Sequence, residues 1–460
     1  MELTDEMSRA FQIIEETTDS LFITGKAGTG KTTFLKYIVE NTHKNIIVAA
    51  STGIAAINAG GVTLHSLFGI PFELQGPNTP IKGKLYQDKF ALFGKLDTLI
   101  IDEASMVRPD VLDYIDRKLR LYRMNELPFG GVQIVLFGDL FQLPPVIKKN
   151  EEIILHQWYR GNYFFHSYAL REVGFQVIEL TKVFRQRDER FVNMLNRIRE
   201  YQLLPMDIAD LSELRDNRES KDFTTHAIHI CSLRRDADKI NNQMIGEVSH
   251  TFPAEFKDAF NPKNAPCDLN LNLRVGARVM TLVNDNQQGF YNGSMGTVSW
   301  ISATKIGVML DDGHEVIVEP YVWTDRDYKV NGNNIETIEK GSCRQFPLTL
   351  GWAITIHKSQ GLTFDNIVIH CPYAFAPGML YVALSRCTSM DGIVTDFFIN
   401  SKAIIKDKEL IAFNTICRNS RSSLTLKFPS VIQHSAKIIK ICILICQNTF
   451  SVINQSTHLF

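Results

Sequence analysis

The sequence predicts an α/β protein with parallel sheets and one late antiparallel insertion. Three observations carry this. Short apolar runs that read as buried strands alternate with helical patterns and end in polar residues, as strands joined by crossovers do. One of them feeds a glycine-rich loop that opens into a helix, Ser20–Phe34 (SLFITGKAGTGKTTF). Further on, LRVGARVMTLVN, GSMGTVSWI and KIGVMLDDGHEVIVEP alternate with tight-turn signals, the pattern of hairpins in a small barrel.

In order, residues 1–20 read as a short amphipathic helix with Phe11, Ile13 and Ile14 on its apolar side. Leu21–Ile23 is a buried strand, and Asn45–Ala50 a second. The polar stretch 71–91, rich in Pro, Gly and Lys, suggests an excursion from the core. Leu96–Ile101 is a strand ending in Asp102-Glu103, Val111–Arg123 a helix, and Val132–Phe137 a strand ending at Gly138-Asp139. A second unit begins near residue 180, with a strand at Ala227–Ser232 and a helix at Leu233–Val248. After the barrel, helical and parallel-strand patterns return at Leu348–Ile356, Ile367–Cys371 and Pro377–Arg386, so the barrel interrupts the second unit. After Glu409 there is no Asp or Glu, and the basic tail 416–460 reads as an untied extension.

At 460 residues the chain can bury more than one core. Apolar residues make up 45% and charged residues 22%, a soluble globular balance. A net charge of −1 supplies no global field for a polyanion, so any such partner must be held by local surfaces. The eight cysteines form no C-x₂-C pair, which disfavours structural zinc and fits a reducing compartment. There is no signal or transit pattern and no apolar run of about 18 residues, so a cytoplasmic protein of bacterial or phage type is expected, with a nuclear one as the other option.

The chemistry begins in the loop. Gly25, Gly30, Lys31 and Thr32 fill the G-x-x-x-x-G-K-[ST] pattern. Glycines let the backbone wrap a phosphate, loop amides and the helix N-terminus donate to it, Lys31 reaches the β- and γ-phosphates, and Thr32 can ligate Mg²⁺. Asp102 and Glu103 end a strand on the same sheet edge, placing one carboxylate for the metal shell and one for a water. Gln142, in GDLFQLPP, can bond the γ-phosphate or its water. Arg185 and Arg386 suit trans contacts to phosphate from a second unit. Two polar clusters, Thr63, Leu64, His65, Ser66 and Phe68, then Thr355, His357, Lys358, Ser359 and Gln360, suit a single strand, with hydroxyls and amides on phosphates and an aromatic on a base. Each cluster alone fits a helix cap or core edge equally well.

The ordered set GKAGTGKTTF, ASTGIAAINAGGVTLHSLFGI, IIDEASMV, FGDLFQLPPV, LTKVFRQ, PLTLGWAITIHKSQGLTFDNI and FAPGMLYVALSRC, with RPDVLDYIDRKLRLYRMNELPFGG between, spans roughly residues 3–415. It resembles superfamily 1 DNA helicases, specifically the Pif-one (petite integration frequency) family of the RecD-like branch. The resemblance implies two RecA-like P-loop domains, 1–178 and 179–249 with 346–415. It adds a small wedge insertion at about 70–91 and an inserted SH3-like β-barrel at 250–345. It implies ATP and Mg²⁺ as cofactors, and 5′→3′ unwinding of duplex DNA, G-quadruplex or RNA–DNA hybrid by a monomer on single-stranded DNA.

By matching position, the resemblance makes Glu103, Gln142, Arg185 and Arg386 catalytic. Gly25, Gly28, Thr29, Gly30, Lys31, Thr32, Thr33 and Gly361 bind nucleotide, and Thr32 and Asp102 serve the metal. Thr63, His65, Phe68, Pro144, His357, Lys358 and Ser359 face DNA. The chain departs from the family at LTDEMSRAF, where Met7 stands for the usual Gln. A thioether lacks the amide's paired donor and acceptor for adenine, so selectivity for ATP does not carry over. Two rival functions share these motifs: a DNA-stimulated translocase that unwinds poorly, and an ATP-switched clamp.

Overall fold

The computed structural model describes residues 3–71, 73–81, 87–184, 188–216, 227–285, 287–331, 334–372, 374–399 and 404–419. Arg185, six residues of the expected wedge (72 and 82–86) and the tail from residue 420 lie outside them.

The first unit is built on six strands: β1 (Leu21–Gly25), β2 (Ile46–Ala50), β3 (Val62–Thr63), β4 (Thr98–Asp102), β5 (Gln133–Gly138) and β6 (Gln176–Leu180). They pair in parallel in the order β3-β2-β4-β5-β1-β6. The central strands are apolar on both faces because helices cover both, which is why they read as unbroken apolar runs. One face packs Phe22, Leu99, Ile101 and Leu136 against the helix Pro109–Arg123 and the aromatic group Phe164, Phe165 and Phe175. The other packs Ile23, Val135 and Phe137 against Phe34, Leu35 and Ile38 of the helix Lys31–Asn41 and against the N-terminal helix Asp5–Glu16. On that first helix Met7, Ala10 and Ile14 are buried, while Phe11 and Ile13 are only partly covered.

The second unit opens with the helix Glu189–Arg199 and strand β7 (Ile228–Cys231). The chain then leaves for the antiparallel insertion: β8 (His250–Pro253), β9 (Glu255–Asp258), β10 (Asn270–Leu273), β11 (Arg278–Thr281), β12 (Met295–Ile301), β13 (Ile306–Leu310), β14 (Glu315–Val318), β15 (Tyr321–Asn331), β16 (Asn334–Gln345) and β17 (Leu348–Leu350). A five-stranded sheet, β14-β13-β12-β11-β17, holds most of its core, with a two-stranded and a three-stranded sheet beside it. The expected Asp311-Asp312-Gly313 turn joins β13 to β14, with Gly313 at φ 90°. The long hairpin of β15 and β16 reaches back to touch the helix Gln87–Lys95 of the first unit.

The chain returns through β18 (Ala353–Thr355), β19 (Ile367–His370) and β20 (Ile393–Thr395), completing a parallel sheet in the order β18-β7-β19-β20. Two boundaries differ from expectation. Leu348–Leu350 pairs antiparallel with β11 and so belongs to the insertion. The helix Lys408–Asn419 does not stay with the second unit: Leu410 and Phe413 enter the first unit's core, and Phe413 stacks on Phe165 at 4.1 Å. Tyr163 Oη donates to Asp407 at 2.7 Å just ahead of it. An aromatic pocket on the first unit outweighs chain proximity.

Candidate nucleotide site at the junction of two sheets

In the first sheet, β1, β2, β4 and β5 all deliver their C-terminal ends to one edge, where ligands bind in parallel α/β folds. β1 feeds the loop Lys26–Gly30. Gly28 and Gly30 both stand at φ 80°, a left-handed geometry that other residues resist. Gly25 is required for a different reason. A Cβ there would lie 2.6 Å from Thr29 Oγ1 and 2.8 Å from Leu180 O. Lys31 Nζ donates to Gly25 O (2.7 Å) and Lys26 O (3.0 Å), so the ammonium lies inside the loop it must serve. Thr29 Oγ1 donates to Lys26 O and helps hold the curve. Thr32 and Thr33 are exposed in the first turn of the helix.

Asp102 and Glu103 sit at the end of β4. Glu103 adopts φ 51°, a strained left-handed backbone for a side chain of its size. Its carboxyl is pushed up to about 7, first by desolvation and then by Asp102, with Lys31 and Arg386 acting in the opposite sense. Asp102 is also raised, again by desolvation first. Lys31 is lowered by desolvation, against the pull of Asp139, Glu103 and Asp102. A base near neutrality, a cation and a second carboxylate thus share one cleft, the arrangement expected of a site that handles phosphate and water.

Arg386 reaches this cleft from the second unit. It is 1% exposed, follows the helix Met379–Leu384, and donates to Val382 O, Ser359 O and Leu362 O. Those carbonyls hold the guanidinium in place, and its charge acts on Glu103. Gln142 is buried, its amide 3.5 Å from Asp139 Oδ2. Gly378 packs on it so closely that a Cβ would lie 2.3 Å from Gln142 O. Arg185 falls outside the described residues.

The two expected DNA-facing clusters divide. Thr63 caps a short helix by accepting from Ser66 N at 3.2 Å. His65 is lowered by desolvation and then by Arg108. His357, half-buried, is lowered by desolvation alone, and Lys358 is exposed beside it. Pro144 is half-exposed. Phe68 must be corrected: it is 3% exposed and stacked on Phe93 at 5.0 Å in the core, so its ring presents no face to a base. Ser359 must be corrected too. It is fully buried, and its hydroxyl donates to Ile356 O at 2.8 Å, steadying the turn that holds Arg386. Gly361 stands exposed at φ 81° in the same turn. Met7, 2% exposed, packs beneath the loop, with Cε 3.6 Å from the Cβ position of Gly30.

Sequence reasoning missed Asp139, Arg199 and Tyr381. Asp139 is buried and ion-paired to Arg199 at 2.9 Å, and Tyr381 Oη accepts from Ala27 N of the loop at 3.1 Å. Tyr381 stands in a quoted motif, but its spacing says nothing of a partner 354 residues away.

With Glu103 on one unit and Arg386 on the other both set around the same loop, the class is a P-loop nucleoside triphosphatase whose site is completed by a second α/β unit. Residues 2–210 match the family of PIF1-like helicases, and residues 350–389 the UvrD-like helicase C-terminal domain. The ATP-dependent DNA helicase Pif1 of Campylobacter jejuni is 30% identical over 399 residues, 81% of this chain and 87% of that one. Human ATP-dependent DNA helicase PIF1 is 33% identical over 425 residues, 89% of this chain and 63% of that one. A crystal structure of a Bacteroides Pif1 in complex with ADP-AlF4 is 51% identical, covers 91% of this chain and 98% of its own, and superposes with a TM-score of 0.87. The chain belongs to the PIF1-like helicase family and is an ATP-hydrolysing DNA helicase. Among the described residues, no helix is long and apolar enough to cross a membrane.

Proposed function

We propose that this chain is an ATP-driven motor that moves 5′→3′ on single-stranded DNA and separates duplex ahead of it. The observation that carries this reading is the division of the site. Lys31, Asp102 and Glu103 come from one parallel sheet, and Arg386 from a helix on the other. Nucleotide bound at the loop then touches both units, and its loss frees them. Motion requires that the two arrangements bind nucleotide unequally, and contacts from both sides provide that difference.

In this reading Lys31 and the loop amides hold the β- and γ-phosphates. Glu103, once deprotonated, orients and takes a proton from the attacking water, and Gln142 is proposed to bond the γ-phosphate or that water. Arg386 balances charge on the phosphoryl oxygens, and Arg185 is proposed as a second trans arginine. Mg²⁺ fits the donor chemistry: an Asp102 carboxylate raised by desolvation at the end of β4, and the exposed Thr32 hydroxyl in the first turn of the helix that follows the loop. When bound, it supplies neutralising charge at the phosphates.

Support for large domain movement comes from the Bacteroides relative. Its unliganded and ADP-AlF4 structures superpose on this chain with TM-scores of 0.86 and 0.87, but its single-stranded DNA complexes, with or without ADP-AlF3, with 0.68. A further solved Pif1 structure concerns DNA unwinding at forked duplex DNA by two coordinating helicases. His357, Lys358, Thr63, His65 and Pro144 are the proposed strand contacts. The wedge near 70–91, the SH3-like character of the insertion, G-quadruplex and RNA–DNA hybrid substrates and a monomeric state belong to the same proposal.

The test is ATP hydrolysis with and without single-stranded DNA, followed by unwinding of forks with only a 5′ or only a 3′ tail. Strong stimulation and 5′-tail preference are expected. Turnover indifferent to DNA, or unwinding from the 3′ tail, refutes the reading.

A further inference from the structure

We propose that Tyr381 is a positioning residue that couples the phosphate loop to the second α/β unit through Asp139 and Arg199; the proposal rests on the motor reading above. Four groups form one continuous chain. Ala27 N, in the loop, donates to Tyr381 Oη at 3.1 Å. The hydroxyl has one proton, and with Ala27 as its donor that proton is directed to Asp139 Oδ2, 3.4 Å away. Asp139 Oδ1 accepts from Arg199 Nε at 3.1 Å and Nη2 at 2.9 Å, and from Phe141 N at 3.2 Å. Arg199 also lies over the Phe141 ring at 4.5 Å.

The members come from both units. Ala27 and Asp139 follow β1 and β5 of the first sheet. Arg199 closes the helix Glu189–Arg199, whose Phe191, Met194, Leu195 and Ile198 pack in the core of the second unit, and Tyr381 lies in that same core. The whole chain is dry: Asp139, Arg199 and Tyr381 are each less than 5% exposed. Desolvation pushes the Tyr381 phenol well above its ordinary range, so it keeps its proton.

A loop that tightens on phosphate moves its own amides. Any shift at Ala27 N alters the bond to Tyr381 and leaves buried polar groups of the second unit poorly satisfied, which costs free energy. Loop state and domain arrangement are therefore not independent. Ring packing alone would need a Phe at this position; it is the hydroxyl that crosses between units.

Tyr381→Phe keeps the ring and removes the link. Steady-state ATPase would be measured with and without single-stranded DNA, along with DNA affinity with and without a non-hydrolysable ATP analogue. The expected result is a DNA-stimulated kcat about tenfold lower, the size of one hydrogen bond, with KM for ATP within about twofold. The analogue's effect on DNA affinity should shrink by a similar factor. Arg199→Lys, which keeps the charge and loses the fork, should act in the same direction. The double variant should fall no further than the worse single, as members of one chain do. Wild-type kcat and an undiminished analogue effect in Tyr381→Phe, or additive losses in the double variant, overturn the coupling alone. Failure of the wild type itself to respond to DNA overturns both the coupling and the motor reading.

Discussion

At the scale of single residues, Glu103 makes the sharpest statements. Its carboxyl titrates near 7 because desolvation and Asp102 disfavour the charge. A general base works only when deprotonated, so DNA-stimulated kcat/KM should rise with pH through about 7 and then level. Glu103→Gln should lower turnover by about 10²- to 10⁴-fold and abolish that dependence. The same group bears on stability. A carboxyl raised from 4.5 in the unfolded chain to about 7 holds its proton longer when folded, so its contribution is intact below 4.5 and lost as pH rises through 7. Thermal melts of wild type and Glu103→Gln should therefore separate above pH 7, with the variant the more stable, and converge near pH 4. Gly378→Ala tests a close approach between units. Its Cβ would meet Gln142 O at 2.3 Å from a backbone at φ 77°. A loss of about 1–3 kcal/mol in urea unfolding is expected, with ATPase falling alongside it.

At the scale of elements, the helix Lys408–Asn419 is the one whose place is least expected. It follows the second unit in sequence, yet Phe413 fills an aromatic pocket of the first, against Phe165 and Phe175. It therefore ties the segment that follows the second unit back onto the first. Phe413→Ala should cost about 3–5 kcal/mol of first-unit stability, read as a lowered thermal transition. Gly28 and Gly30 show the opposite relation of element to sequence. Their φ of 80° is what the loop requires, and the loop was readable from them.

At the scale of the whole molecule, the long hairpin of β15 and β16 joins the insertion to the first unit by touching the helix Gln87–Lys95. The chain superposes on the ADP-AlF4 complex of the Bacteroides relative with a TM-score of 0.87 and on its single-stranded DNA complex with 0.68, so its arrangement resembles the first more than the second. Fluorophores at Lys89 and Val322 should accordingly show high energy transfer without DNA and a drop when a single-stranded oligonucleotide is added. Unchanged transfer at saturating DNA would mean that the hairpin stays docked.

Local rules made much of this legible. The parallel strands, the glycine loop, the acidic pair at a strand end and the Asp-Asp-Gly hairpin depend on neighbours in sequence, where periodicity, turn chemistry and motif spacing act. What needed the tertiary structure were contacts between residues hundreds of positions apart. Phe68 is exposed or buried according to whether Phe93 meets it. Ser359 faces a strand or its own turn according to how the turn closes around Arg386. No spacing rule pairs Arg199 with Asp139 or Tyr381 with Ala27. By itself the sequence determined the family, the α/β class and the phosphate-binding chemistry, because these reside in contiguous stretches. Which polar residues cross between the units, and where the last helix docks, only the packed structure decided, because burial and long-range complementarity are properties of the assembled surfaces.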